Sequence, residues 1–254
     1  SEKWEAAAAK ILSKSTGQNA PRAAVNVLRN AYTLPPKEAL KIERETFLSL
    51  RADQQSSALR HLFFAERATT KIDRIKNIVP STLLKIGIIG GGTMGAGITA
   101  ACLLAGYQVQ TIELSIEAAQ DGKSRVLSIL DDSNKRGLIS TKKHQQLTQN
   151  FATSARYDDL GDADLIIEAV FEDMSIKKQV FAQLEMAAKP NAILATNTSY
   201  LDVNEIAESI ANPDRVVGLH FFSPAYIMKL IEIVEQDHTK TETLATVISF
   251  AKTL

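Results

Sequence analysis

The sequence predicts an α/β fold, a mostly parallel, doubly wound sheet preceded by a helical segment. Three observations carry that reading. From Ser81 onward, strand-like apolar runs alternate with helix-period stretches, the pattern of a parallel sheet with helices on both faces. A glycine-rich turn, Gly90-Gly91-Gly92-Thr93-Met94-Gly95, sits between a strand and a helix. Residues 1 to about 80, by contrast, contain no strand-like segment.

Taken in order, Trp4 to Leu12 is alanine-rich and reads as helix, with Gly17 and Pro21 as punctuation. Arg22 to Tyr32 resumes with apolar residues at helical spacing. Pro35-Pro36 marks a turn and a helix start, Pro36 suiting the first helical turn. Ala39, Ile42, Phe47 and Leu50 form the apolar face that follows. Asp53 or Ser56 can cap a further helix through Arg67. Its Leu59, Leu62, Phe63 and Phe64 are too apolar for a free-standing solvated helix, so this block is expected to pack on something. Ile72 to Pro80 reads as a short linker. This divides the chain into a helical segment, 1–80, and a nucleotide-binding domain, 81–254.

Within the second part, Leu83 to Ile89 reads as a strand buried on both faces. After the glycine turn, apolar residues return at helical spacing through Ile98, Ala101 and Leu104, with Gly106 as the stop. Tyr107 to Ile112 is a second strand. Helices follow over Ile116 to Arg136 and Ser140 to Asn150. Strands are predicted at Phe151 to Ala155, Asp164 to Val170, Ala192 to Thr196, Val216 to Phe222 and Lys229 to Glu235. The remaining helices fall at Met174 to Ala188, Asp202 to Ile210 and Thr241 to Leu254. The chain stops after a helix, where one more strand is expected, and it starts at Ser and not Met. Both fit a piece of a longer polypeptide.

The glycine turn matches G-x-G-x-x-G, and each position has a physical task. Gly90 permits the tight turn, and Gly92 lets a pyrophosphate approach backbone that a Cβ would block. Gly95 lets helix and strand pack closely. Thr93 and Met94 open the helix, whose free N–H groups and positive dipole end favour phosphates. Glu113 ends the second strand 23 positions after Gly90 and can accept hydrogen bonds from the adenosine ribose hydroxyls. Its carboxylate repels a 2′-phosphate, and neither Leu114 nor Ser115 supplies an arginine to hold one. The cofactor read from these residues is NAD rather than NADP.

Composition narrows the class. Acids and bases balance at 29 each, so nothing suggests nucleic acid or an anionic membrane as partner. The lone cysteine, Cys102, excludes a disulfide framework and fits a reducing compartment, read here as the cytoplasm. No apolar run approaches the ~20 residues of a membrane span, no signal peptide is recognised, and no metal-ligand spacing stands out.

Ligands of open α/β sheets bind beyond the carboxyl ends of the strands. Polar residues at such ends are Glu168 and Glu172, Asn197 and Ser199, and His220. Of the four histidines, His61 reads as surface or packing, and His144 and His238 as solvated. His220 differs in lying among Leu219, Phe221 and Phe222 near a strand end; it is either a core histidine bonded to backbone or a site residue. Glu232 favours the site. It interrupts an otherwise buried run, where a carboxylate costs several kcal/mol unless paired or protonated, and His220 on the adjoining strand is an available partner. A salt bridge to Lys229 or an exposed edge position are the alternatives for Glu232.

These stretches resemble a known family. GIIGGGTMGAGI, IIEAVFEDMSIKKQVF, ATNTSYL and GLHFFSPAYIMKLIEIV are similar to the NAD-binding half of L-3-hydroxyacyl-CoA dehydrogenases, particularly as built into the bifunctional hydratase/dehydrogenase enzymes of fatty-acid β-oxidation. KIERETFLSL and ALRHLFFAERATTKI resemble the linker that follows the hydratase domain in those enzymes. The resemblance implies a Rossmann-like domain oxidising (S)-3-hydroxyacyl-CoA with NAD. It makes His220 the general base, Glu232 its partner, and Ser199 a hydrogen-bond donor to the substrate 3-oxygen. Glu172, Lys177 and Ala169 would lie at the nicotinamide-side ribose and phosphates, with Asn197 and Ser223 near the nicotinamide. Ser223 stands where some members carry Asn, and Tyr200 where a small residue is more usual. The resemblance further implies a hydratase domain upstream, a helical domain downstream that dimerises, and a thiolase subunit as partner. It leaves the fragment alone nearly inactive. The rival readings are a dehydrogenase of another β-hydroxy acid and a non-catalytic NAD-binding or structural module.

Overall fold

A computed structural model describes residues 2–69 and 71–254. They divide into two units, up to Ile72 and from Asp73 to Leu254. The first is all helical: α1 (Glu2–Lys14), α2 (Asn19–Thr33), α3 (Pro36–Ala52) and α4 (Gln54–Thr69). Ala8, Val25 and Ala39 are its buried positions. Gly17, at φ +77°, turns the chain between α1 and α2. Asp53 is the residue that caps α4, accepting from the Gln55 N–H at 3.2 Å, and it also accepts from Asn19 at 2.8 Å. Those hydrogen bonds hold its carboxyl below the usual range. Among the described residues α4 buries none, and Leu59, Leu62, Phe63 and Phe64 stay exposed.

The second unit begins with a short helical turn, Asp73–Ile75, inside the stretch read as a plain linker. Arg74 there is ion-paired to Glu235, and the Ser81 N–H donates to Thr246 Oγ1, so the stretch is anchored. The elements that follow are β1 (Lys85–Ile89), α5 (Thr93–Leu104), β2 (Gln108–Ile112), α6 (Ile116–Lys135), α7 (Thr141–Gln149) and β3 (Phe151–Ser154). After them come β4 (Leu165–Glu168), α8 (Met174–Ala187), β5 (Ile193–Thr196), α9 (Val203–Ala207), β6 (Val216–Phe221), β7 (Ile231–Val234) and α10 (Thr241–Thr253). Helices α6 to α9 start where small polar side chains cap them: Ser115, Ser140, Asp173 and Asp202 each accept a first-turn N–H. His144 is not simply solvated, because its Nε2 meets Asp131 at 2.7 Å and ties α7 to α6.

Seven strands form one sheet in the order β3-β2-β1-β4-β5-β6-β7, parallel except where β7 runs against β6. This is the mostly parallel Rossmann-type arrangement expected. On one face, Ile89, Ile166, Leu194 and Val216 share a core with Phe181 and Leu184 of α8 and Ile206 of α9. Ile88, pointing the other way, lies under α5. At the amino end of β1, Asp164 accepts from the N–H groups of Leu84 and Lys85 and from Lys189. Burial raises its carboxyl pKa, but Lys189 and the two N–H groups outweigh that and hold it below the usual range. Strand order reverses at β1 and β4, which opens the crevice at their carboxyl ends.

Candidate active site

The glycine turn fits a dinucleotide. Gly90 has φ +94°, and a Cβ there would stand 2.8 Å from the carbonyl oxygen of Ala169 at the end of β4. A Cβ on Gly95 would lie 1.8 Å from the Gly90 oxygen, so only glycine lets α5 start so close to β1. Gly92 is the opposite case. Nothing lies within 4 Å of where its Cβ would be, which leaves an open cradle beside the uncapped first turn of α5, Thr93, Met94 and Gly95. Those residues fit a pyrophosphate held by backbone N–H groups.

Glu113 lies at the rim of this cradle. Its Oε1 accepts from the Gly91 N–H at 2.5 Å and its Oε2 from the Leu114 N–H at 3.1 Å. Two residues unnoticed in the sequence hold the same loop from below. Gly122 of α6 is backed against Gly91, where a Cβ would sit 3.2 Å from the Gly91 Cα, and Arg125 donates to the Gly91 carbonyl at 3.0 Å. An arginine does therefore lie near the loop, but it comes from α6 and is engaged by backbone.

At the far side of the crevice, β6 presents His220 directly opposite Glu232 of β7 in the antiparallel register. His220 Nδ1 lies 2.8 Å from Glu232 Oε2. The imidazole is 18% exposed and the carboxylate 57%. The partnership is as expected, but the reason given for it from sequence is not. Glu232 is no buried charge; it lies on the solvent side of an edge strand whose residues alternate between half-buried and exposed. Gly218, two residues before His220, sets how closely the strands approach, because a Cβ there would meet Val234 Cβ at 2.8 Å. The Phe222 ring tilts against the imidazole, with centroids 4.6 Å apart.

Between these two places lie the carboxyl ends of β4 and β5. Glu172 Oε1 accepts from Thr198 Oγ1 at 2.5 Å and from the Ser199 N–H at 2.7 Å. Burial pushes the Glu172 carboxyl pKa up, but these donors and the Lys177 ammonium prevail and hold it below the ordinary value. Ser199 is exposed, so its hydroxyl is open to a ligand. Tyr200 is exposed as well and makes no demand on packing. Asn197 Oδ1 accepts from the Phe221 N–H at 2.8 Å, which ties the end of β5 to β6. The loop carrying Ser223 packs on α5 at Gly97, where a Cβ would touch the nitrogen and Cβ of Ala225. Lys177 departs from expectation. Its side chain is 1% exposed and its Nζ lies 2.7 and 3.0 Å from the two oxygens of Glu168 and 3.4 Å from Glu172. It stands buried behind Glu172.

A doubly wound sheet, a phosphate cradle and an imidazole–carboxylate pair on the same crevice define an NAD-binding dehydrogenase domain. The 3-hydroxyacyl-CoA dehydrogenase NAD-binding domain family matches residues 85–254, and the chain belongs to that family. It is 36% identical over 234 residues to the glyoxysomal fatty acid beta-oxidation multifunctional protein MFP-a of Cucumis sativus, covering 91% of this chain and 32% of that protein. It is also 36% identical over 248 residues to the peroxisomal bifunctional enzyme of Homo sapiens, covering 96% and 34%. The chain thus spans about a third of the length of these relatives. Among solved structures, the (S)-3-hydroxybutyryl-CoA dehydrogenase of Ralstonia eutropha superposes with TM-score 0.66 at 32% identity, over 68% of this chain and 61% of that one. The dehydrogenase part of multifunctional enzyme 1 from C. elegans gives 0.64 at 32% identity, over 72% and 42%. The cytoplasmic location read from the cysteine content is overturned, because relatives across plants and animals are named peroxisomal or glyoxysomal. Few cysteines report a reducing interior and do not identify the compartment. Among the described residues no helix is long and apolar enough to cross a membrane.

Proposed function

We propose that this domain oxidises (S)-3-hydroxyacyl-CoA to 3-oxoacyl-CoA with NAD, within a multifunctional enzyme of fatty-acid β-oxidation. The observation that carries this is the His220–Glu232 pair, 2.8 Å apart at the carboxyl end of the sheet. With its Nδ1–H directed at Glu232, the neutral imidazole offers a free lone pair at Nε2. His220 takes the 3-hydroxyl proton there, and Glu232 steadies the imidazolium as it forms; general base catalysis of this kind contributes ~10²–10⁴-fold. Ser199 donates a hydrogen bond to the 3-oxygen. NAD, when bound, supplies the hydride acceptor. The protein's part in holding it falls to Gly90, Gly92, Thr93, Met94 and Gly95 at the phosphates and to Glu113 at the adenosine ribose. Ala169, Glu172, Asn197 and Ser223 serve the nicotinamide side.

The names of the relatives, a multifunctional protein and a bifunctional enzyme, support a wider reading in which this domain is one part of such an enzyme; on that reading residues 1–80 connect a hydratase domain to this one. Dimerisation and a thiolase partner belong to the same proposal, and sizing of the purified enzyme with co-purification of a thiolase tests them. The central test is His220→Gln in the full-length protein. Turnover of a 3-hydroxyacyl-CoA should fall by orders of magnitude while NAD affinity holds. Retained turnover would end the base assignment.

A further inference from the structure

The Glu168–Lys177 pair is built like a structural core yet stands at the crevice. Glu168 is wholly buried and Lys177 1% exposed. Glu168 accepts from Lys177 on both oxygens, from Thr196 Oγ1 at 2.7 Å and from the Val170 N–H at 2.7 Å. A lysine ammonium has three donors. Two are directed at Glu168 and the remaining direction at Glu172 Oε2, 3.4 Å away. Glu172 is the first member of this chain to reach solvent, and its other oxygen holds Thr198 Oγ1 and the Ser199 N–H. Thr198 Oγ1 in turn accepts from the Leu201 N–H at 3.0 Å, closing the 198–201 loop.

A buried pair adds little stability over apolar residues of the same volume, so stability alone is a poor reason for it. What this one does have is an address. It connects the ends of β4 and β5, beside the β1/β4 switch of strand order, to the loop that carries Ser199. In so dry a place, charge-assisted hydrogen bonds in series strengthen one another and hold their members rigidly.

We propose that Glu168, Lys177 and Thr198 are positioning residues that act through Glu172, so that cofactor binding at Glu172 and placement of the Ser199 hydroxyl are one linked event. This rests on the dehydrogenase reading above and assigns none of the three a contact with substrate or cofactor. Glu172 is the shared element: one carboxylate, seated on Lys177, serves the loop on one side and faces the crevice on the other.

The test is binding linkage in the full-length protein, with NAD⁺ and acetoacetyl-CoA titrated by calorimetry separately and together, and turnover followed alongside. In the wild type, NAD⁺ should tighten acetoacetyl-CoA binding by about 5-fold or more, within the usual range of site coupling. Thr198→Val should abolish that tightening and lower kcat about 10-fold, with NAD⁺ affinity changed by less than about twofold. Thr198→Ser, which keeps the hydroxyl, should restore both. Tightening that survives Thr198→Val, or no rescue by Thr198→Ser, overturns the link. So does a fall of NAD⁺ affinity in step with kcat, because Glu172 would then serve the cofactor alone. Should Thr198→Val not fold, Thr198→Ala carries the same expectations. A wild type that binds both ligands with linkage but shows no turnover would sink the dehydrogenase reading and leave the linkage standing.

Discussion

Two acid–base pairs stand at the carboxyl ends of β4 and β6, and their distances are nearly equal. Glu168 and Lys177 meet at 2.7 Å with almost no exposure, whereas His220 and Glu232 meet at 2.8 Å with the carboxylate mostly in water. Burial separates their tasks. The inner pair is closed off from solvent and cannot lose a partner cheaply, so it serves as a fixed support. The outer pair contributes little to stability, and its imidazole is reachable, which a proton acceptor requires.

The comparison can be broken most forcefully at His220. The His220→Gln exchange is expected to cost ~10²–10⁴ in turnover, read as kcat in the full-length enzyme, with little change in thermal unfolding. Next comes Lys177→Met, which leaves Glu168 buried without its counter-charge. Unfolding measurements should show a loss of about 3–5 kcal/mol, against less than about 1 kcal/mol for Glu232→Gln. Equal losses at the two sites would erase the distinction. Gly218→Ala should cost about 1–3 kcal/mol, because Val234 must move aside. It should also lower turnover by pushing β7 and Glu232 away from His220. The smallest effect concerns pH. The folded Glu172 carboxyl lies below its ordinary value of 4.5, so its contribution is complete above that pH and is lost as pH falls through the lower folded value. The acid limb of the stability profile should therefore be shallower in Glu172→Gln than in the wild type.

How much of this was legible depended on whether a residue's surroundings could be inferred from its neighbours in sequence. Gly90, Gly92, Gly95 and Glu113 lie on one short strand–turn–helix–strand unit, so their spacing alone implied their places. Every strand is recognisable in the sequence, with no end displaced by more than two residues. The burial of Lys177 is not legible in the sequence, because only the fold brings it under Glu168, at the buried end of Leu165–Glu168. Glu232 was paired correctly for the wrong reason. Ile231 and Ile233 alternate with Glu232 and Val234, the pattern of an edge strand, and that was read as a continuous buried run. Gly97, Gly122 and Gly218 carried no motif, because each is required by a partner distant in sequence or across the sheet.

The phosphate loop has almost no mechanical slack. Gly90 abuts Ala169, Gly95 abuts Gly90, and Gly91 abuts Gly122, backbone against backbone each time. Side-chain variation inside such a stack has nowhere to go, so any drift in dinucleotide preference must happen at its margin. Glu113 and Arg125 stand at that margin, one accepting from the Gly91 N–H and the other donating to the Gly91 carbonyl.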